Sequence, residues 1–208
     1  PGIVDSILAG TSSRFLTAVA ALFSSTTIID GEAALRSRPM SDLHEALSSL
    51  GADVVHLGEI GHLPVSISRG SMSGGDIHIA GNVSSQFISA LMLIGPKLSE
   101  GLTIHVDGPL ISRSYVEMTA DVMRSFGATV TFNGSTIVVA SGSYGGRDYT
   151  IEPDYSSAAF PLSAVAVREG RVLIPGLATA SLQGDSEIVP ILQAMGMTCD
   201  VNGADISV

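Results

Sequence analysis

The sequence predicts a mixed α/β fold (α+β) in which one βαβαββ unit occurs three times. The first observation behind this prediction is a Ser-Ser pair followed by an apolar run, which begins at Ser12, Ser84 and Ser156. Successive copies are 72 residues apart. Repetition at a fixed period indicates that each copy is one supersecondary unit of a larger arrangement. The repeat units run roughly over 1–70, 71–142 and 143–208.

A second helix in each unit is the next observation. Apolar residues recur at three- and four-residue spacing in 41–54, 116–130 and 186–201, and a glycine follows each pattern. This spacing is typical of an amphipathic helix with one exposed face, and a glycine commonly ends such a helix. Because this second set keeps its place in each unit, chance similarity is a poor explanation of the repeat.

Short β-branched runs between the helices predict the strands. One such run separates the two helices of each unit, at 26–31, 102–108 and 171–176. Two more follow the second helix, for example 52–57 and 65–69 in the first repeat and 128–132 and 135–141 in the second repeat. A further strand is predicted before the second and third Ser-Ser pairs, at 74–81 and 148–154.

The helices that follow the Ser-Ser pairs are predicted to be buried. Phe, Leu, Ala, Val, Ile and Met dominate 15–23 and 87–94, and a helix that is apolar nearly all round belongs in a core. Serine in front of such a helix is a common N-cap. If three units are related by pseudo-threefold symmetry, the N-termini of these helices converge at one end of the domain.

Composition limits the classes of function. The net charge of −10 leaves no basic stripe for a nucleic-acid backbone. No apolar window is long enough to span a membrane and no leader precedes the first motif, so we expect a cytoplasmic protein without a membrane anchor. The single cysteine, Cys199, and five scattered histidines give no metal-binding spacing, so no metal site is expected.

Arginines at predicted helix starts indicate a binding site for anions. Gly10 allows close approach to the backbone, Thr11 offers a hydroxyl, and Arg14 lies in the first helical turn. Arg38 stands directly before Pro39, which suits the first position of the next helix. The helix dipole disfavours a cation at this end unless an anion is present, so Arg14 and Arg38 predict a clamp for phosphate or carboxylate.

The second repeat carries more polar groups than helix capping requires. Ser84, Ser85 and Gln86 stand together at the start of its apolar helix. Before its second helix, Ser112, Arg113 and Tyr115 supply a hydroxyl, a cation and a phenol. Such a set suits a phosphorylated ligand with several hydroxyls.

Three other polar side chains are more simply explained by structure. Asp154 precedes Ser156-Ser157 and Asp185 precedes the last helix, where an acidic residue favours capping over direct catalysis. Cys199 lies after a helix in a predicted strand, which favours a buried thiol over a nucleophile.

Six motifs resemble, in order and in approximate spacing, the N-terminal globular domain of the 5-enolpyruvylshikimate-3-phosphate synthase family. They are AGTSSRFL, LRSRPM, GNVSSQFISAL, ISRSYVEMT, EPDYSSAAF and SLQGD. The resemblance implies an enolpyruvyl transferase-type fold of three βαβαββ repeats with buried parallel helices. It also implies transfer of the enolpyruvyl group of phosphoenolpyruvate to the 5-hydroxyl of shikimate 3-phosphate, with release of phosphate and without a cofactor.

The resemblance assigns roles to the candidate residues. Shikimate 3-phosphate is expected on a set made of Ser84, Ser85, Gln86, Ser112, Arg113 and Tyr115. Phosphoenolpyruvate, with which glyphosate competes, is expected on Gly10, Thr11, Arg14 and Arg38. Arg38 and Gln86 are the expected catalytic residues of this chain. Gly10 is the residue found in glyphosate-sensitive members, whereas Leu8 replaces an asparagine that many members carry.

The same resemblance implies that the chain is incomplete as an enzyme. Residues 1–208 are expected to form one shikimate 3-phosphate-binding domain, and the second catalytic domain would begin after Val208. The chain is therefore expected to take part in chorismate and aromatic amino acid biosynthesis but to bind without turnover when alone. Two alternatives stay open: a noncatalytic binding domain of the same fold, and an enolpyruvyl transferase that acts on UDP-N-acetylglucosamine, for which Cys199 is misplaced.

Overall fold

The computed structural model describes residues 2–82, 84–168, 170–177, 181–202 and 205–207. The chain divides into two compact units, Pro1–Gly146 and Arg147–Val208. The first unit holds the first two sequence repeats and the second unit holds the third. The organisation of 1–208 as a single domain stays a prediction.

The first repeat follows the predicted βαβαββ order, with one additional short helix. Its elements are β1 (Gly2–Asp5), α1 (Gly10–Ala20), β2 (Thr27–Asp30), α2 (Ala33–Arg36), α3 (Ser41–Ser49), β3 (Asp53–His56) and β4 (Val65–Ser68). The sequence predicts no residue range for β1 and does not predict α2, since each is only four residues long and carries little periodic signal.

The second repeat has the same order. Its elements are β5 (Gly75–Ala80), α4 (Ser85–Ile94), a 3₁₀ turn (Gly95–Lys97), β6 (Leu102–Asp107), α5 (Arg113–Ser125), β7 (Val130–Asn133) and β8 (Thr136–Val139).

The sheets of the two repeats are built alike. Their strand orders are β1-β2-β4-β3 and β5-β6-β8-β7. In each sheet the first pair is parallel and the others are antiparallel, with Ile3 opposite Ile28 and Ile77 opposite Ile104. The mixed α/β prediction and the repeat are therefore confirmed in this unit.

The second unit has α6 (Tyr155–Val167), β9 (Leu173–Ile174), a 3₁₀ turn (Gly184–Glu187), α7 (Ile188–Ala194), β10 (Asp200–Asn202) and β11 (Asp205–Ser207). Its strand order, β10-β11-β9, matches the last three strands of the other sheets.

The strand predicted at 148–154 is wrong, because all seven of these described residues lie outside regular structure. Pro153 has no N–H to donate to a sheet, and Asp148, Glu152 and Asp154 are residue types depleted in strands. The third sheet consequently has no counterpart of β1 and β5 among the described residues.

The predicted glycines end the second helix of each repeat. Gly51, Gly127 and Gly196 follow α3, α5 and α7 with φ of 96°, 89° and 94°. This left-handed conformation is one that glycine adopts without a steric cost. Pro39 does not occupy the first position of α3, because that helix begins at Ser41 with Met40 as its N-cap.

Each unit has its own buried cluster. In the first unit α1 and α4 pack against each other, and the buried side chains of α4 include Ile88, Leu91 and Met92. In the second unit the cluster comprises Tyr155, Ala158, Leu162, Leu177, Val189, Leu192 and Ile206. The predicted burial of the Ser-Ser helices is confirmed for α4 and only in part for α1. It is wrong for α6, where Phe160 and Val167 are 79% and 90% exposed.

Candidate functional site

The N-terminus of α1 lies beneath an arginine side chain. The helix begins at Gly10, and its N-cap, Ala9, makes no side-chain capping bond. A Cβ atom placed on Gly10 would lie 2.7 Å from Nη1 of Arg38. Glycine therefore leaves the space through which the Arg38 guanidinium reaches the helix end. Two positive features meet here, because the helix N-terminus itself carries partial positive charge.

Arg14 connects the first repeat to the second. Its Nη1 donates to Oε1 of Gln86 and, at 3.5 Å, to Oγ of Ser84. Its guanidinium carbon lies 5.0 Å from the ring centroid of Phe87. Arg14 and Gln86 occupy equivalent places in the two repeats, 72 residues apart. The internal repeat therefore places these two side chains side by side at one end of the helix pair.

The positive charge at this end is not neutralised by the protein. Burial, followed by repulsion from Arg38, lowers the pKa of Arg14 below its ordinary value. Within the described residues, neither Arg14 nor Arg38 forms a salt bridge, whereas Arg36 pairs with Asp30 at 2.8 Å. Two unpaired arginines in a protein of net charge −10 are a strong local attraction for an anion.

Ser84 caps α4, as the sequence predicts. Its Oγ accepts a hydrogen bond from the backbone N–H of Gln86 at 3.3 Å. The capping prediction is wrong for the first copy, because α1 begins before Ser12 and Ser13, and Ser13 donates instead to the carbonyl of Gly10. Capping therefore explains the hydroxyl of Ser84 in the SSQ motif. It does not explain the hydroxyls of Ser12 and Ser13 in the first copy.

In the third copy of the Ser-Ser motif, the carboxylates of Asp154 and Asp185 occupy the hydrogen-bond donors at the helix start. Asp154 caps α6 by accepting from the backbone N–H groups of Ser156 and Ser157, as predicted. The hydroxyl of Ser157, then these N–H groups, hold the pKa of Asp154 below its ordinary value. Asp185 caps no helix here, and its carboxylate accepts from the hydroxyl of Ser156. With an anion already built in, this helix start differs from those of α1 and α4.

A cleft of about 400 Å³ opens beside Gln86. Thr11 of α1, Ser85 and Gln86 of α4, and Tyr115 of α5 line it together. Ser89 and Thr119, whose hydroxyls lie 2.8 Å apart, add polar groups. The remaining wall is apolar and consists of Phe15, Leu93, Met118 and Val122. Four candidate residues from three helices thus face one space large enough for a small ligand.

Ser112 and Arg113 are placed differently from the other candidates. Ser112 is the N-cap of α5 with φ of 54°, a left-handed conformation that is uncommon for serine, and its side chain makes no capping bond. Arg113 donates to Glu117 at 2.7 Å and lies 5.9 Å from the ring centroid of Phe132. Arg113 lines a separate cavity of about 250 Å³, not the cleft beside Gln86.

Sequence reasoning missed the aromatic support of this site. Phe87 stacks on Arg14, and Phe15 lines the cleft. The signal in the sequence is the phenylalanine that ends both SSRF and SSQF, although the helix pattern alone predicts only its burial.

Metal binding and catalysis by a cysteine thiolate have little support from the described residues. Among them, no group of three or more His, Cys, Asp or Glu side chains is arranged to hold a metal ion. Burial, then the nearby charge of Asp200, raises the pKa of the Cys199 thiol, which disfavours a reactive thiolate.

Comparison with known proteins supplies the family. The model of the family described as EPSP synthase (3-phosphoshikimate 1-carboxyvinyltransferase) matches residues 2–208. The chain belongs to the EPSP synthase family. The resemblance of the six motifs is therefore confirmed. None of the helices in the described part of the chain has both the length and the apolar character to cross a membrane.

Curated members of the EPSP synthase family are similar along most of this chain. A 3-phosphoshikimate 1-carboxyvinyltransferase of Methanothermobacter thermautotrophicus is 44% identical over 187 residues, which are 90% of this chain and 44% of that protein. The protein of the same name from Methanothrix thermoacetophila is 39% identical over 99% of this chain and 49% of its own length. The chain spans about half the length of the curated relatives it matches.

Solved structures agree with this assignment. The structure of EPSP synthase from Acinetobacter baumannii at 2.37 Å resolution matches with a TM-score of 0.77 and 26% identity, covering 100% of this chain and 47% of that chain. The enolpyruvyl transferase-type fold is therefore shown, and the chain is equivalent to about half of a family member.

Proposed function

We propose that this chain is the shikimate 3-phosphate-binding part of a 3-phosphoshikimate 1-carboxyvinyltransferase. The carrying observation is that the unpaired arginines Arg14 and Arg38 lie at the N-terminus of α1, where Arg14 bonds to the Ser84-Ser85-Gln86 motif. Helix N-termini, guanidinium groups and hydroxyls together suit a phosphorylated carboxylate. Membership of the EPSP synthase family supports shikimate 3-phosphate as that ligand.

In this proposal the second repeat holds shikimate 3-phosphate. Ser84 and Ser85 bind its phosphate, while Gln86 and Tyr115 bind nearer the ring. The shared cleft of Ser85, Gln86 and Tyr115 supports this assignment. Ser112 and Arg113 belong to the proposed set through the resemblance alone. The structure gives Arg113 a different partner, because its guanidinium donates to Glu117.

The first repeat then holds phosphoenolpyruvate, with which glyphosate competes for the site. Gly10 and Thr11 contribute the backbone and hydroxyl at the start of α1, and Arg14 and Arg38 contribute the charge. The hydrogen bond from Arg14 to Gln86 supports placing the two substrates side by side. This arrangement would bring the 5-hydroxyl of one substrate to the enolpyruvyl carbon of the other, which is catalysis by orientation.

The proposed reaction adds the 5-hydroxyl to phosphoenolpyruvate and then expels phosphate from the tetrahedral intermediate. Arg38 and Gln86 are the proposed catalytic residues of this chain, because prearranged donors stabilise charge that develops during addition and elimination. The groups that transfer protons are assigned to the other half of the enzyme. No cofactor enters this scheme, and a cytoplasmic location is part of the proposal.

Calorimetric titration of the 208-residue chain with shikimate 3-phosphate tests the proposal. We expect saturable binding at one site and a loss of about tenfold in Gln86→Leu, because one polar ligand contact is worth roughly 1 to 1.5 kcal/mol. Gln193→Leu, an exposed glutamine of the second unit, is the matched control and should bind as the unchanged chain does.

Absence of binding at millimolar shikimate 3-phosphate, or equal affinity in both variants, would contradict the proposal. Turnover by the 208-residue chain alone would contradict the assignment of proton transfer to another part of the enzyme. A noncatalytic role would be favoured if binding persisted but the remaining half of a family member failed to restore turnover.

A further inference from the structure

The ring of Phe87 lies against the guanidinium of Arg14, a cation of the candidate site. Phe87 directly follows Gln86 on α4 and is only 3% exposed. The guanidinium carbon of Arg14 lies 5.0 Å from its ring centroid, within the range over which a cation is attracted to an aromatic face. This contact joins α1 to α4 at the same end where Arg14 donates to Gln86.

The other surroundings of Arg14 make this contact important. Its Nε is buried and has no hydrogen-bond partner among the described residues. Arg38 adds repulsion, and burial disfavours the charged form. An arginine in such a place gains by turning outward to water, since an unsatisfied buried donor costs free energy. The ring of Phe87 opposes this movement because it attracts the guanidinium without using any of its N–H groups.

We propose that Phe87 is a positioning residue that holds the Arg14 guanidinium over its ring, against α4. The remaining N–H groups of Arg14 are thereby left for an anionic ligand. The effect on phosphoenolpyruvate binding rests on the proposed function, whereas the effect on the orientation of Arg14 does not. Phe87 itself touches no ligand in this proposal.

The orientation of Arg14 is measured first, by nuclear magnetic resonance of its Nε–H group in the unchanged 208-residue chain. Stacking above a ring face shifts such a resonance to low frequency, and burial slows its exchange with water. We expect both effects, and we expect both to be lost in Phe87→Leu. Ile88→Ala is the control, because Ile88 lies on the same helix and is fully buried. It should lower stability while leaving the Arg14 resonance in place.

Ligand binding is measured second, by calorimetric titration with phosphoenolpyruvate in the presence of shikimate 3-phosphate. We expect Phe87→Leu to weaken binding by roughly two- to thirty-fold, the range that corresponds to one cation–π contact. In an Arg14→Met background the same change should have no effect on binding. A change in packing alone would weaken binding by the same factor in both backgrounds.

The outcomes separate the two proposals. An unshifted Arg14 resonance in the unchanged chain, or one that is the same in Phe87→Leu, overturns the role of Phe87 even if that variant folds poorly. Equal loss of affinity in both backgrounds also overturns it. A shifted resonance that depends on Phe87, without any binding of phosphoenolpyruvate, supports the positioning role and contradicts the proposed function.

Discussion

At the scale of the residue, His44 links burial to the pH dependence of folding. It is 2% exposed on α3, and its Nδ1 lies 3.1 Å from Nε2 of His56. Its own Nε2 has no hydrogen-bond partner among the described residues. Burial, then the charges of His56 and His62, lowers the pKa of His44 to about 4. The folded chain therefore favours the neutral imidazole.

The free energy of unfolding should consequently fall in mild acid. The unfolded chain binds a proton with a pKa near the ordinary value of 6.5, whereas the folded chain binds it only near 4. The contribution of His44 is complete above pH 6.5 and is lost as the pH falls toward 4. Between pH 7.5 and pH 5 we expect a loss of about 2 kcal/mol, measured by urea unfolding.

His44→Leu should remove most of this loss, because the variant has no imidazole to protonate. His78→Gln is the control, since the His78 side chain is 69% exposed, and it should retain the loss of the unchanged chain. Identical pH dependence in the unchanged chain and in His44→Leu would show that other groups are responsible.

At the scale of the element, the N-terminus of α4 combines capping with the proposed binding role. Ser84→Ala removes the capping oxygen and should lower the free energy of unfolding by about 1 kcal/mol. Ser84→Asp keeps an acceptor and should change it by only a few tenths of a kcal/mol. The new carboxylate would, however, lie beside Arg14, whose Nη1 is 3.5 Å from Oγ of Ser84.

Binding of shikimate 3-phosphate should therefore be lost in Ser84→Asp although the helix remains capped. Urea unfolding and calorimetry on the same samples separate the two effects. The control is Asp154→Ala, which removes the cap of α6 and should lower stability in the second unit without changing binding. Normal affinity in Ser84→Asp would show that the ligand phosphate binds elsewhere.

At the scale of the whole molecule, the two buried clusters share no residue, which allows their stabilities to be changed separately. Leu162→Ala, at a fully buried position of α6, should cost about 2 to 5 kcal/mol in the second unit. Amide hydrogen exchange should speed up in α6 while the amides of α4 keep their protection. Leu91→Ala, the matched change in α4, should reverse this pattern. Equal loss of protection in both units from either variant would contradict separate cores.

Features with a local cause were predictable from the sequence. The helices and most strands follow from the period of apolar residues, and the glycines after α3, α5 and α7 follow from a conformation that glycine adopts freely. The 72-residue repeat also predicted that equivalent residues would share one end of the helices. The hydrogen bond from Arg14 to Gln86 confirms this expectation for the first two repeats.

Features that depend on contacts between distant segments were not predictable in the same way. Ser12 and Ser84 have the same local pattern, but only Ser84 is an N-cap, because α1 already begins at Gly10, two residues before Ser12. The stacking of Arg14 on Phe87 joins two helices.

The amino-acid pattern alone established the repeated α/β units, the family resemblance and the set of polar residues at the helix starts. The tertiary structure decided which of those residues lie together. Arg14 donates to Gln86, and Arg38 lies against Gly10, whereas Arg113 pairs with Glu117. The physical reason is range. Helix periodicity and turn geometry act over a few neighbouring residues, whereas hydrogen bonds and charge interactions act through space between residues far apart in the chain.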